Sequence, residues 1–297
     1  MEFREQVSLR DWTWWKIGGP ADFFCLPKSI DEVREAVRFA QKKEIPITVL
    51  GGGTNVLVSD DGVEGLVICM KQLHETTVTE ENGRVVVSAL AGTPKSELTK
   101  IYMKRKLAPA LFLCGLPGDV GGGVVMNAGI GEKTVPREFV EITDWFEYID
   151  LSHPDLPLRR LTKAQARWHY RHSEGWQPGI IVRAQVSWPN EIDEEIPLKV
   201  REATRNRLAR QPLDLPSCGS TFKNPPGNHA GALIEQAGLK GFKVGGAQVS
   251  PKHANFIVNV GGATSKDVQA IIDHVKTQVK NKFKVSLETE VKYLGRW

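Results

Sequence analysis

Pro46-Ile47-Thr48-Val49-Leu50-Gly51-Gly52-Gly53-Thr54-Asn55 is the stretch from which the fold can be read. The short β-branched run Pro46 to Leu50 reads as a strand. It runs directly into three consecutive glycines. Glycine tolerates positive φ and carries no side chain, so a ligand can lie close against the main chain. Successive N–H groups in such a turn form a concavity that binds anions. A flexible hinge is the competing reading, but a strand delivers the loop and Asn55-Val56 close it, which favours a held conformation. The spacing matches neither GxGxxG nor GxxxxGK[ST], so neither nucleotide-binding label transfers.

Upstream, Ser29-Ile30-Asp31-Glu32 fits a capping box. Val33, Val37 and Ala40 then recur at helical spacing, predicting a helix to about Lys43. Downstream, strands are predicted at Gly65 to Met70 and Arg84 to Leu90. Pro94 is expected in the first turn of a helix running to about Lys106. A second glycine-rich segment follows, Leu111-Phe112-Leu113-Cys114-Gly115-Leu116-Pro117-Gly118-Asp119-Val120-Gly121-Gly122-Gly123 through Asn127-Ala128-Gly129. Two such segments read as two walls around one long phosphate-bearing cofactor. Further strands are expected at Phe139 to Ile149 and Ile180 to Val186, a helix at Thr162 to Trp168, and a charged helix at Glu194 to Ala209.

The composition changes at Arg210-Gln211-Pro212. Beyond it, Ser217-Cys218-Gly219-Ser220-Thr221-Phe222-Lys223-Asn224-Pro225-Pro226-Gly227 suits neither helix nor strand. It reads as a rigid loop presenting Ser220 and Asn224 to something small and polar, with a partly buried turn as the alternative. A helix at Ala230 to Ala237, an extended Lys243 to Val249 and a strand at Ala254 to Val260 follow. Thr264 caps a helix from Ser265 to about Asn281, whose apolar face is Val268, Ile271, Ile272, Val275 and Val279. Val285 to Leu294 reads as a last strand, on which Glu288 and Glu290 share a parity.

The 297 residues carry 39 basic and 35 acidic side chains, a net charge of +4 that is too mild to point to nucleic acid. Cys25, Cys69, Cys114 and Cys218 form no CxxC pair, so no metal is expected and reduced thiols are. Met1 to Arg10 is polar, and no apolar run reaches membrane-spanning length, so neither a signal peptide nor a membrane segment is expected.

The ordered set WWKIGGPA, LGGGTNVLVSD, GLPGDVGGGVVMNAG, YRHS, RQPLDLPSCGSTFKNP, AGALIEQAGLKGFKVGGAQVSPKHANFIVN and LETEVKYLG resembles the UDP-N-acetylenolpyruvoylglucosamine reductase family from about Trp12 to Gly295. The resemblance implies an α+β protein with a two-subdomain FAD-binding fold of the vanillyl-alcohol-oxidase type and a separate α+β substrate domain. The corresponding spans are residues 1–72, 73–200 and 201–297. Only Glu174 to Gly179 separate YRHS from the next strand, so the chain is similar to the shorter form of the family, which lacks an inserted tyrosine loop. Trp12-Thr13 stands where the family has Asn-Thr, so a role for that asparagine does not carry over.

The resemblance further implies NADPH-dependent reduction of UDP-N-acetylglucosamine enolpyruvate to UDP-N-acetylmuramate in a bacterial cytoplasm. FAD would be non-covalent, since no histidine sits in a typical covalent-flavin context, and NADPH would be the hydride donor. Partners are then the UDP-sugar and NADPH, with no nucleic acid or membrane; a monomer is favoured, the oligomeric state being open. By motif, Ser220 matches the proton donor, Arg171 the arginine that meets the substrate carboxylate, and Glu290 the donor to a developing enolate, with Glu288 as its rival. Arg210 and Asn224 match binding positions for the UDP portion, Lys223 is an electrostatic helper, and Lys252 and His253 lie in a second substrate motif. Gly51, Gly52, Gly53, Thr54 and Asn55, with Gly118, Asp119, Val120, Gly121 and Gly122, would line the FAD pyrophosphate, Asn127 and Ala128 lying nearby. A flavin oxidase acting on an alcohol or sugar would need a base more than this acid-rich set. A non-enzymatic nucleotide sensor would purify without flavin.

Overall fold

The computed structural model describes residues 1–130 and 134–297, which fall into two compact units. Unit 1 comprises Met1–Glu2, Cys25–Gly52 and Ile68–Asn206; unit 2 comprises Phe3–Phe24, Gly53–Val67 and Arg207–Trp297. The triple glycine is thus a point where the chain leaves one unit for the other.

Unit 1 is built on a five-stranded antiparallel sheet in the order Thr76–Glu81, Arg84–Leu90, Gly179–Pro189, Thr143–Asp150, Leu158–Thr162. Val85, Val87 and Ala89 alternate onto the face that packs on Leu98, Tyr102, Phe112, Val120, Val124 and Phe139 from the covering helices. Those helices are Lys95–Lys104, Pro109–Leu113, Val120–Val125 and Phe139–Ile142. Helix Ile30–Lys43 begins as predicted at Ser29, whose hydroxyl accepts from the Glu32 N–H. The Glu32 carboxylate, however, accepts from the Lys28 N–H rather than from the cap residue, so the box closes one residue early.

Three expectations fail here. Thr162 to Trp168 is not a helix: Leu158–Thr162 is an edge strand, and Arg167–His169 pairs with His172–Glu174 in a tight hairpin. The residues between 162 and 168 are good helix formers, but cross-strand pairing, of Leu158–Thr162 with Thr143–Asp150 and of Arg167–His169 with His172–Glu174, overrides so weak a preference. Phe139 to Ile149 opens with a helical turn, Phe139–Ile142, before the strand Thr143–Asp150 begins. Pro94 stands just outside its helix, with extended φ and ψ, and the helix starts at Lys95.

Unit 2 is organised by helix Ser265–Phe283. Thr264 and Asp267 form a complete capping box, and Val268, Ile271, Ile272, Val275 and Val279 are all buried. Fully burying side chains of this size contributes about 1.5–3 kcal/mol each. They pack with Trp15, Ile17, Leu57, Phe222, Leu233, Ile257 and Val291 in one core. The predicted strand Val285 to Leu294 is much shorter than expected. Only Lys292–Leu294 is regular, and it lies parallel to Val56–Val58. Thr289 makes an isolated bridge to Phe222.

Candidate active site

In unit 2 the Ser217–Gly227 loop is held by main-chain bonds to two segments. Thr221 N–H donates to the Asn255 carbonyl at 2.8 Å, Glu290 N–H donates to the Thr221 carbonyl at 2.9 Å, and Lys223 N–H donates to the Glu288 carbonyl at 2.9 Å. The side chain of Asn255 completes the clamp. Its Oδ1 accepts from the Phe222 N–H at 3.0 Å and its Nδ2 donates to the Phe222 carbonyl at 2.8 Å. Asn255 carried no signal in the sequence beyond its place in a long motif.

Ser220 and Glu290 are therefore brought onto adjacent main-chain segments. Both are half-buried, and no group among the described residues hydrogen-bonds the Ser220 hydroxyl. Glu288 and Glu290 do not share a setting, because the strand that would have aligned them does not form. Glu288 is exposed and pairs with Lys223 at 3.3 Å. Glu290 is steadied from behind: Asn55 Nδ2 donates to its carbonyl at 3.1 Å, and Lys292 N–H donates to the Asn55 carbonyl at 3.0 Å.

Asn224 Oδ1 accepts from the Ala230 N–H at 3.0 Å and so caps helix Ala230–Gln236, whose own cap position, His229, makes no side-chain bond. Lys252 Nζ donates to the Leu208 carbonyl at 2.6 Å, two residues before Arg210 at the exposed end of helix Ile196–Arg210. His253 Nδ1 accepts from the Asn255 N–H at 3.2 Å, and burial pulls the ring's pKa down.

In unit 1, Arg171 occupies the two-residue turn of the hairpin with φ of 59°. Its guanidinium stacks over Tyr170, with 4.6 Å between Cζ and the ring centroid. Gly129 makes room for it, since a Cβ there would lie 2.9 Å from the guanidinium. The hairpin is anchored by Asn127, which is 1% exposed: its Nδ2 donates to the His169 carbonyl at 3.0 Å and to Glu138 Oε2 at 2.9 Å, and its Oδ1 accepts from the Val140 N–H at 3.0 Å. The amide is fully occupied by protein groups, and Ala128 follows it into the turn, with its N–H bonded to the Gly123 carbonyl.

The glycine segments belonging to unit 1 form a cradle that side chains would fill. A Cβ on Gly52 would lie 3.0 Å from the Gly118 Cα and 3.2 Å from Asp119 Oδ1. Gly118 has φ of 84°, and its carbonyl accepts from the Lys95 N–H at 2.9 Å. Val120 and Gly121 donate to the carbonyls of Thr93 and Ala91, whereas Gly122 is exposed with open space at its Cβ position. Gly53, at the start of the unit 2 segment, has φ of 70° and accepts from the Trp14 N–H at 2.9 Å. Thr54 follows it, half-buried. Bare main chain and a buried Asp119 Oδ2 with no hydrogen-bond partner among the described residues fit a cofactor bearing both phosphates and hydrogen-bonding groups.

Residues 21–150 match the model of an FAD-binding domain, which defines the chain as an FAD-dependent oxidoreductase. Its fold is accordingly an α+β FAD-binding part followed by a distinct α+β C-terminal part. Residues 211–294 match the C-terminal domain of UDP-N-acetylenolpyruvoylglucosamine reductase. The reductase of that name from Listeria welshimeri is 40% identical over 288 residues, covering 97% of this chain and 93% of the relative. The one from Limosilactobacillus reuteri is 38% identical over 302 residues, covering 100% and 96%. The crystal structure of the reductase from Thermus caldophilus matches with a TM-score of 0.80 at 32% identity, covering 99% of this chain and 100% of that one. The chain belongs to the UDP-N-acetylenolpyruvoylglucosamine reductase family, flavoproteins of peptidoglycan precursor synthesis.

Proposed function

We propose that the protein reduces UDP-N-acetylglucosamine enolpyruvate to UDP-N-acetylmuramate, with NADPH as hydride donor, non-covalent FAD as carrier, and the bacterial cytoplasm as setting. Residues 1–72 and 73–200 are taken as FAD-binding subdomains and 201–297 as the substrate-binding domain. The observation that supports this reading is the Glu290 N–H bond to the Thr221 carbonyl, which joins the main-chain segments of two half-buried residues, Ser220 and Glu290. Among the described residues no helix is long and apolar enough to cross a membrane.

Bound FAD supplies a ring that can take up and give back a hydride. The protein's own residues handle charge and protons. Addition of hydride to the terminal vinyl carbon leaves enolate character next to the substrate carboxylate, and fixed donors must meet that charge. Arg171 offers a rigid guanidinium fork to the carboxylate. Glu290, in its protonated form, donates to the enolate oxygen. Ser220 gives its hydroxyl proton to the adjacent carbon, completing addition of one hydride and one proton across the double bond, and regains a proton from solvent. A hydroxyl is a weak acid, so the negative intermediate itself must favour the transfer. Gly51–Asn55 and Gly118–Gly122 hold the pyrophosphate, while Arg210, Lys223, Asn224, Lys252 and His253 bind the UDP-sugar.

Anaerobic reduction of the purified protein by NADPH, followed by mixing with the enolpyruvyl nucleotide, tests the reading. Return of the oxidised flavin spectrum with stoichiometric UDP-N-acetylmuramate is expected. Ser220→Ala should leave the NADPH half-reaction within about twofold and slow reoxidation by 10²-fold or more, on the order of the contribution of a positioned acid. A flavin that NADPH reduces but the nucleotide never reoxidises would remove the substrate assignment.

A further inference from the structure

Lys95 is the first residue of an amphipathic helix, where a lysine normally projects into water; here it is 4% exposed. Asp119 is 7% exposed. The two segments are stitched together: the Lys95 N–H donates to the Gly118 carbonyl at 2.9 Å, and Pro94 bridges Asp119. Asp119 Oδ1 lies 3.2 Å and Oδ2 3.5 Å from the positions that Cβ atoms on Gly52 and Gly51 would occupy. The carboxylate therefore lies directly against the main chain read as phosphate-binding. Its Oδ2 is buried without a hydrogen-bond partner among the described residues. Lys95 influences it as a charge, without a hydrogen bond between them.

A carboxylate in that place conflicts with a pyrophosphate's two negative charges. The conflict vanishes if the carboxyl is protonated, for then its orphan oxygen becomes a donor and Lys95 remains as the only full charge of the pair. We propose that Asp119 is a proton-linked FAD-binding residue: it takes up a proton as the pyrophosphate binds, with Lys95 as the buried cation of the site. The inference rests on the assignment of Gly51–Gly53 and Gly118–Gly122 to the FAD pyrophosphate.

The electrostatics of the site agree with this. Burial pushes the Asp119 carboxyl up to about 6, opposed by the positive charges of Lys95, Lys71 and His74. Burial pulls Lys95 down to about 8, opposed by Asp119. His74, which hydrogen-bonds Glu97 at 2.6 Å, and Lys71 also face Asp119. Only the protonated carboxyl accommodates the anion, so affinity must fall as pH rises.

The test uses the full chain stripped of flavin and titrated with FAD from pH 5.5 to 8.5, by flavin fluorescence and by calorimetry in two buffers of different ionisation enthalpy. The dissociation constant should be flat below pH 6 and then rise by up to about tenfold per pH unit, with proton uptake approaching one. A second upward break is expected above about pH 8, as Lys95 loses its charge. Asp119→Asn keeps shape and hydrogen-bonding capacity; it should flatten the profile between pH 6 and 7.5 and bind FAD more tightly than the wild type at pH 7.5. Lys95→Met should weaken binding about tenfold at pH 6, the loss of one charge-assisted interaction. A flat wild-type profile without proton uptake, or a slope that survives in Asp119→Asn and so belongs to His74 or another group, overturns the inference while the FAD site stands. Failure of the wild type to bind FAD at any pH removes both.

Discussion

Replacing Asn255 with alanine takes away two hydrogen bonds at once, the one it accepts from the Phe222 N–H and the one it donates to the Phe222 carbonyl. Phe222 is 1% exposed, so neither main-chain group can turn to water. A buried polar group left bare costs about 1–3 kcal/mol, and two of them put the expected loss near 4 kcal/mol. The Thr221 N–H bond to the Asn255 carbonyl is main chain and survives the substitution. The mutant should therefore fold with a loosened Phe222 and, through it, a loosened Ser220. Urea unfolding gives the stability; stopped-flow reoxidation of the reduced flavin by the enolpyruvyl nucleotide reports the serine, with reduction by NADPH as the internal control. Asn255→Asp separates the two bonds. Its carboxylate can accept from the Phe222 N–H but faces the Phe222 carbonyl without a proton, so its folded-state pKa is raised above about 3.9. Its penalty is then absent below that unfolded value and grows as pH rises through the folded one. A loss below about 1 kcal/mol in Asn255→Ala, with reoxidation unchanged, would mean that water restores both bonds and that the clamp does not set the serine.

The same logic applies to the bare main chain of unit 1. Gly52→Ala places a methyl group 3.0 Å from the Gly118 Cα, and the backbone there is pinned by the Lys95 bond, so flavin content on purification should drop and stability fall by about 1–3 kcal/mol. An unaltered flavin-to-protein absorbance ratio would contradict the close approach. For the thiols, burial pushes Cys25 and Cys218 up to about 12, so neither should react with a disulfide reagent at pH 8 until the protein unfolds. Mass mapping of labelled cysteines under native conditions should find Cys114, the half-buried one, modified ahead of both.

What could be read from the sequence divides by mechanism. Glycine loops are legible because a missing side chain has one main structural use, close approach, and Gly52, Gly53, Gly121 and Gly123 all prove to have main chain or a ring where a Cβ would go. Helix Ser265–Phe283 is legible because its cap and its apolar stripe are both local. Failure came where pairing between strands decides. Leu158–Thr162 becomes an edge strand through the earlier strand Thr143–Asp150, Arg167–His169 turns back on His172–Glu174, and Val285 to Glu290 stays irregular because its carbonyls and N–H groups are taken by the Phe222 segment instead of a neighbouring strand. Lys95 is the plainest case. Nothing in Pro94-Lys95-Ser96-Glu97 distinguishes a buried lysine from a solvated one, since its burial depends on where the Asp119 turn lands.

A further common element is invisible one residue at a time. Asn55, Asn127, Asn255 and Asn259 each tie a loop to main chain remote in sequence: Asn55 to Glu290, Asn127 to His169, Asn255 to Phe222, and Asn259 to the Trp15 carbonyl, its Oδ1 also accepting from the nearby Gly261 and Ala263 N–H groups. A carboxamide suits this work better than its charged relatives. It donates and accepts at once, and it can be buried with no ionic desolvation cost. An aspartate in any of these places would lose the donor and gain a buried charge. A glutamine would add a rotatable bond, and with it side-chain entropy to lose. One of the four holds a residue to which a catalytic role is assigned, Asn55 at Glu290; Asn127 acts at His169, two residues before Arg171, and Asn255 acts at Phe222, two residues after Ser220. The proposed reacting groups thus sit on loops tied by neutral amides, which leaves charge to the few side chains proposed to meet substrate and cofactor.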